Sequence, residues 1–230
     1  MARKTEKFID IANKLVDILK KLEDDPHTSI IEEELFLEMY PILKELSDIC
    51  QEGDLKKAKK FLRKHPTIVE TRHFEDAFIA ACLEGHLEIA KMLREIKKPN
   101  VDISIRDDHF VDICGDGHFE LAKWLLDVIP DIDISMNDYQ SFSYACLSGN
   151  LELAELLLEK SKKIDASVYN TTFSWVCTTT GNVKVAEWLV NKCPSIDIYG
   201  YQRINFKNAC KNDYLELVDW FPKIKPIEIC

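Results

Sequence analysis

Eight cysteines and six histidines are the residues of this 230-residue chain with the most chemistry to offer. Thiols at short spacing would make a zinc site, and a Cys–His pair would make a nucleophile with its base. The spacing argues for neither. Cys50, Cys82, Cys114 and Cys146 recur every 32 residues, Cys177 falls one residue short of the next place, and Cys210 returns to it. No C-x-x-C pair starts a zinc site. In layers of helices ~8–10 Å apart, cysteines placed one per layer are too distant for a disulfide, which needs Cα atoms ~4.4–6.8 Å apart. The series reads as buried thiols acting as small apolar side chains. Cys193 and Cys230 stand outside it, and both are expected to stay reduced in a cytoplasmic compartment. Of the histidines, His86 and His118 each follow a repeated glycine, and His27, His65, His73 and His109 join no H-E-x-x-H pair. No phosphate-binding glycine loop, G-x-S-x-G or kinase set is present. The expectation is a non-enzyme with no catalytic residue, no metal and no cofactor.

What positions these residues is a repeat. Gly53, Gly85, Gly117, Gly149 and Gly181, then Asp213, are each 32 residues after the last. Self-similarity at such a period means stacked supersecondary units rather than one globular core. Before each turn, Phe and Cys stand four apart, as in Phe78/Cys82, Phe110/Cys114, Phe142/Cys146, Phe173/Cys177 and Phe206/Cys210. That spacing puts both on one helix face. The glycine permits the left-handed backbone that ends a helix within one turn. After it, Leu151, Leu153, Ala154 and Leu157 mark a second amphipathic helix. Alternating segments at Val101, Ile132, Ile164 and Ile196 suit a short extended arm. Helix pairs are predicted at about 43–64, 75–96, 107–129, 139–160, 171–192 and 204–222. Phe173 stands one residue early relative to Gly181, which predicts a one-residue slip with Thr178, Thr179 and Thr180 filling the helix end. In the last unit Asn212-Asp213 replaces the glycine turn, and Pro222 is expected to shorten the second helix.

The run A-C-x-x-G-[HN]-x-E-x-A-x-x-L, as in Ala145–Leu157, resembles the ankyrin repeat over roughly residues 42 to 230, and the period agrees with the ~33 residues of that family. The Phe-containing helix, the I-D-I-S arm and the A-K-W-L ending also resemble divergent ankyrin proteins of giant DNA viruses of amoebae. The resemblance implies an all-α ankyrin-repeat solenoid of stacked helix-turn-helix units with short arms. It also implies a protein partner held on a concave face lined by arm tips and first helices. The family's T-P-L-H opening is absent; Asp108, His109, Phe110 and Val111 stand there in one copy. Phe packing is expected to replace the inter-repeat hydrogen bonds of the usual Thr and His.

Residues 1–40 do not repeat. Phe8, Ile11, Leu15, Ile18 and Leu22 form a narrow apolar helical seam, and Ser29 to Glu32 reads as a capping box. This segment is expected to cap a solenoid spanning residues 41–230 in about six repeats, the first and last atypical; the alternative is a recruitment or self-association helix. Lys56, Lys57, Lys59, Lys60, Arg63 and Lys64 make one basic patch on the weak first repeat, read as a solvated outer face, with an acidic partner or nuclear import as the alternatives. A net charge of −10 argues against a protein that coats nucleic acid. No stretch approaches the ~18 apolar residues of a membrane span, and the N-terminus lacks the apolar core of a signal peptide.

Within near-constant units, variation gathers at the arm tips. These hold Arg72 and His73; Arg106, Asp107 and Asp108; Asn137, Asp138 and Tyr139; Tyr169 and Asn170; Tyr201, Gln202 and Arg203. Such variation marks a recognition surface, and Tyr and Arg dominate measured binding energies. The expected partner-binding residues are therefore Arg72, His73, Arg106, Asp107, Asn137, Tyr139, Tyr169, Tyr201 and Arg203, with the tyrosines at exposed turns. The expected function is a non-catalytic scaffold or adaptor, monomeric and cytoplasmic (in the host cytoplasm for a viral protein). It binds a protein partner rather than nucleic acid or membrane.

Overall fold

The computed structural model describes residues 41–42, 44–70, 74–96, 105–161 and 164–225. The N-terminal seam and cap, the tip residues Arg72 and His73, and the arm at Val101 lie outside these residues. The chain divides into two compact units, Met1–Ser104 and Ile105–Cys230. Both are built of helix pairs, and no strand occurs among the described residues.

In the first unit, α1 (residues 44–51) leads through Gly53 to α2 (Leu55–Lys64). Asp54 caps α2 by accepting the Lys57 N–H at 2.9 Å. Ala58, Phe61 and Leu62 are buried while the basic side chains face water, and Arg63 and Lys64 sit in the last turn, where the helix dipole favours cations. Lys57, at a position where later copies carry Ile, Leu or Val, is instead paired with Glu52 at 3.1 Å. A 3-10 turn, Pro66–Glu70, follows. In α3 (Phe74–Leu83) the buried residues are Phe74, Ala77, Phe78, Ala81 and Cys82, one stripe at helical spacing. α4 (Leu87–Glu95) buries Ile89, Ala90 and Leu93 and packs on α2.

The second unit repeats this pattern four times. The pairs are α5 (Asp107–Gly115) with α6 (Phe119–Val128), α7 (Met136–Leu147) with α8 (Leu151–Ser161), α9 (Ala166–Trp175) with α10 (Val183–Lys192), and α11 (Ile204–Lys211) with α12 (Leu215–Ile224). First helices pack on first helices, α5 on α7 on α9, and second on second, α6 on α8 and α10 on α12. The core is the facing stripes: Phe110, Phe142 and Phe173 from first helices, and Leu125, Leu157 and Leu189 from second helices, each no more than 1% exposed. At the turn after α7, the Gly149 N–H donates to the Cys146 carbonyl and the Asn150 N–H to the Ala145 carbonyl, both at 3.0 Å. Gly149 itself stands at φ 79°. These bonds satisfy the last carbonyls of the helix.

The extra residue between Phe173 and Gly181 is absorbed as a π turn over Val176–Thr180. The Gly181 N–H reaches the Val176 carbonyl at 2.8 Å, five residues back. Thr178 and Thr179 return their hydroxyls to the carbonyls of Ser174 and Trp175, both at 2.8 Å. α12 continues past Pro222 to Ile224, so Pro222 does not end it; the proline only deprives the Val218 carbonyl of its ladder donor.

The alternation of the arms appears as burial. Ile132, Ile196 and Ile198 are buried, and Asp133 and Asp197 between or beside them are exposed. Asp133 and Asp165 fold the backbone back on themselves. Each Oδ1 accepts the hydroxyl of the serine two residues on at 2.6 Å, and its N–H at 2.9 and 2.8 Å. The serine hydroxyl first, then the backbone donor, holds both carboxyls below the ordinary Asp range. Such caps act above the unfolded carboxylate pKa and are lost as pH falls through the lower folded value.

Cys50, Cys82, Cys114, Cys146 and Cys177 are fully buried. Burial raises their thiols, to about 12 at Cys50, Cys82 and Cys177. The last repeat departs from the series: Cys210 is exposed and Phe206 only half-buried. Both lie on α11, and among the described residues no further repeat packs on its outer side. In the native protein, Cys210 is therefore expected to react with a thiol reagent within minutes, while Cys82, Cys114 and Cys146 react only as the fold opens. Mass spectrometry of alkylated peptides checks this; early labelling of Cys114 contradicts it.

Candidate functional site

The arm tips are held in place by bonds between repeats. The Asp133 N–H donates to Asp107 Oδ1 at 2.8 Å, and the Asp197 N–H to Asn170 Oδ1 at 2.8 Å. In both cases a side chain at one tip anchors the arm that follows. In the core, Ser143 and Thr172 share a hydrogen bond of 2.7 Å between neighbouring first helices. Phe packing therefore does not act alone; polar contacts between repeats persist, carried by Asp, Asn, Ser and Thr. A second ladder runs along the turns. His86 Nε2 lies 2.9 Å from the Gln51 carbonyl in the first unit. In the second, Asn150 Nδ2 donates to the Gly117 carbonyl at 2.9 Å and Asn212 Nδ2 to the Thr178 carbonyl at 3.1 Å.

Arg72 and His73 lie outside the described residues; the other expected binding residues have these places. Arg106 is exposed, with its guanidinium 3.0 Å from Asp108 Oδ2 and 3.1 Å from His109 Nε2. Asp107 spends Oδ1 on the next arm. Asn137 is exposed and its Nδ2 donates to Gln140 at 2.9 Å. Tyr139 is half-buried. Tyr201 opens a 3-10 turn, Tyr201–Arg203, and Arg203 is exposed.

Tyr169 is corrected. It is not at an exposed turn but inside α9, 9% exposed, its ring edge-on to Phe142 at 5.6 Å. Burial raises its phenol above the usual tyrosine value. The reason is local. Asp165 caps α9 through the N–H groups of Ser167 and Val168, so the helix starts at Ala166. That start turns Tyr169 onto the packed face. The Asp-x-Ser spacing at Asp165 was the signal that could have shown it.

Two tips share a backbone feature that the sequence does not advertise. Asn137, Asp138 and Tyr139 stand at φ 51°, 55° and 61°, and Gln202 and Arg203 at 51° and 59°. Left-handed backbone costs an L-residue roughly 1–2 kcal/mol, and glycine supplies it without that cost. Gln202→Gly is accordingly expected to raise stability by about 0.5–1 kcal/mol, read as a higher denaturant midpoint at unchanged slope. A lower midpoint contradicts it.

Sequence reasoning also missed a cleft of about 430 Å³ between α9 and the last arm. Its lining includes Asn170, Ser174, Trp175, Asp197, Ile204 and Asn205. Trp175 and Ile204 are exposed large apolar side chains, at 37% and 45%. The lining residues come from neighbouring repeats, so no local motif announces the cleft.

Among the described residues, no three of His, Cys, Asp and Glu are grouped so as to hold a metal ion, and no helix is long and apolar enough to cross a membrane. Residues 110–202 match the family described as Ankyrin repeats, in three copies. No curated protein matches the chain. Over the matched residues the second unit is thus an all-α stack of ankyrin repeats, and the described residues of the first unit are helix pairs as well. Ankyrin repeats generally mediate protein–protein interaction and are typically non-catalytic.

Proposed function

We propose that this ankyrin-repeat protein is a non-catalytic scaffold or adaptor that holds a protein partner on the arm tips of its second unit. The observation that carries the reading is where strain is kept. Apart from Asp213, which stands in for a turn glycine, the left-handed non-glycine residues among those described are Asn137, Asp138, Tyr139, Gln202 and Arg203. All five are tip residues. Strained backbone persists where surrounding structure holds it and gathers at functional positions. Tyr139 and Arg203 are among the residue types, with Trp, that most often dominate binding energy. Arg106 and Asn137 extend the surface, while Asp107 contributes by holding the next arm. Tyr169 acts from below by packing on Phe142. The five buried thiols suit a reducing cytoplasmic compartment.

Light scattering of the full chain tests this against self-association. A monomer at all concentrations, with partner captured at one per chain, is the expected result. A concentration-dependent dimer that excludes the captured protein overturns the adaptor reading in favour of assembly.

A further inference from the structure

We propose that the cleft beside the last arm receives an arginine side chain of the protein partner; this rests on the interaction reading above and names the chemistry of one contact. The polar groups of the cleft are unevenly spent. Its amide donors are used internally. Asn170 Nδ2 donates to the Ala166 carbonyl at 2.7 Å, and the Asp197 N–H to Asn170 Oδ1 at 2.8 Å. Asn205 Nδ2 is committed to the carbonyls of Asp197 and Ile198 at 3.3 and 3.2 Å.

The acceptors are left over. Asn205 is 3% exposed, and its Oδ1 is buried with no hydrogen-bond partner among the described residues. A buried acceptor without a donor is a standing cost that a ligand's donor removes. The Asp197 side chain is exposed and accepts the Gly200 N–H at 3.1 Å through Oδ1, which leaves the rest of its carboxylate for a cation. No basic residue lines the cleft. The Thr171 and Ser174 hydroxyls on the lining can accept as well as donate, so the one charged group there, the Asp197 carboxylate, sets the choice: a cationic ligand whose polar head only donates, which among side chains means Lys or Arg.

The apolar walls choose between them. Trp175 offers an exposed indole and Ile204 an exposed aliphatic surface. A guanidinium stacks on an indole face while its methylene stem covers apolar surface, and its fork reaches two acceptors at once. A lysine ammonium is a compact, strongly hydrated charge and uses the flat wall less well.

The test titrates the ¹⁵N-labelled full chain with Ac-Gly-Arg-Gly-NH2, following the Trp175 indole N–H and the Asn205 side-chain amide by NMR. Saturable shifts at both are expected, at least fivefold weaker with Ac-Gly-Lys-Gly-NH2 and absent with Ac-Gly-Glu-Gly-NH2. Trp175→Ala and Asp197→Asn are each expected to weaken the arginine peptide at least fivefold, with the rest of the spectrum unmoved. Asp197→Asn keeps an acceptor for Gly200 and Trp175→Phe keeps an aromatic wall, so either variant still reports if Trp175→Ala loses its fold. No saturable shift with the arginine peptide, equal affinity for the glutamate peptide, or unchanged affinity in all variants overturns the proposal. If that happens while capture of the partner still depends on Tyr139, the cleft assignment alone fails and the interaction reading stands.

Discussion

Phe142→Ala is expected to lower the unfolding free energy by about 3–5 kcal/mol. The side chain is fully buried. Its ring meets Tyr169 at 5.6 Å and Trp188 at 6.2 Å, both in the following repeat. The truncation therefore empties an interface as well as a core position. In a repeat protein stability is a sum of repeat and nearest-neighbour terms, so a loss at an interface uncouples the two sides. Urea unfolding followed by circular dichroism measures it, with a broadened or split transition as the sign of uncoupling. Phe206→Ala is the comparison. That ring is only half-buried, so less apolar surface returns to water and the loss is expected to be smaller. Equal losses at Phe142 and Phe206 contradict the burial difference between the middle and the end of the second unit.

Gly181→Ala is expected to cost about 2–5 kcal/mol, from two separable causes. The residue stands at φ 61°, where a Cβ carries roughly 1–2 kcal/mol of strain. The added carbon also lands 2.3 Å from Tyr214 Cγ, so the ring of the next turn must move, and displacing a packed group typically costs ~1–3 kcal/mol. Gly149→Ala isolates the first cause. It stands at φ 79°, and its nearest neighbour, Asn182 Nδ2, is 3.4 Å away. It should lose the conformational part alone. Adding Tyr214→Ala to Gly181→Ala should recover the steric part, and thermal melts of these three variants, of Tyr214→Ala alone and of the native chain read the difference. No recovery places the whole cost in the backbone.

These variants also show which parts of the molecule were legible in the sequence. Turn glycines, Phe/Cys stripes and second-helix faces obey local rules of period and conformation, so the helix pairs fell within a few residues of their expected places. The slip at Phe173 could be counted from the spacing. Its form could not, because an extra residue can be taken up inside the helix as a π turn or outside it in the loop before Gly181. Tyr169 was misplaced because a cap by Asp165 extended α9 upstream of the repeat pattern. The left-handed tips at Asn137 and Gln202 carry no glycine; Asn137 and Asp138 are of types that tolerate this backbone, but Tyr139, Gln202 and Arg203 give no sign of it. The bonds from Asp107 to Asp133 and from Asn170 to Asp197 join positions 26 and 27 residues apart. They and the cleft beside Trp175 arise from stacking, which no single repeat contains.

The most direct test of the account is partner affinity measured by calorimetry for three proteins: the native chain, Tyr139→Ala, and a charge reversal of Lys56, Lys59 and Lys60 to Glu on α2. Tyr139 is half-buried at a tip, so its truncation should shift melting little, by under about 1 kcal/mol. The predicted result is a loss of ~2 kcal/mol or more in binding for Tyr139→Ala, roughly thirtyfold in Kd. Affinity should stay near native for the α2 reversal. Binding that survives Tyr139→Ala and vanishes with the α2 reversal contradicts the account and moves the site to the basic face of the first unit.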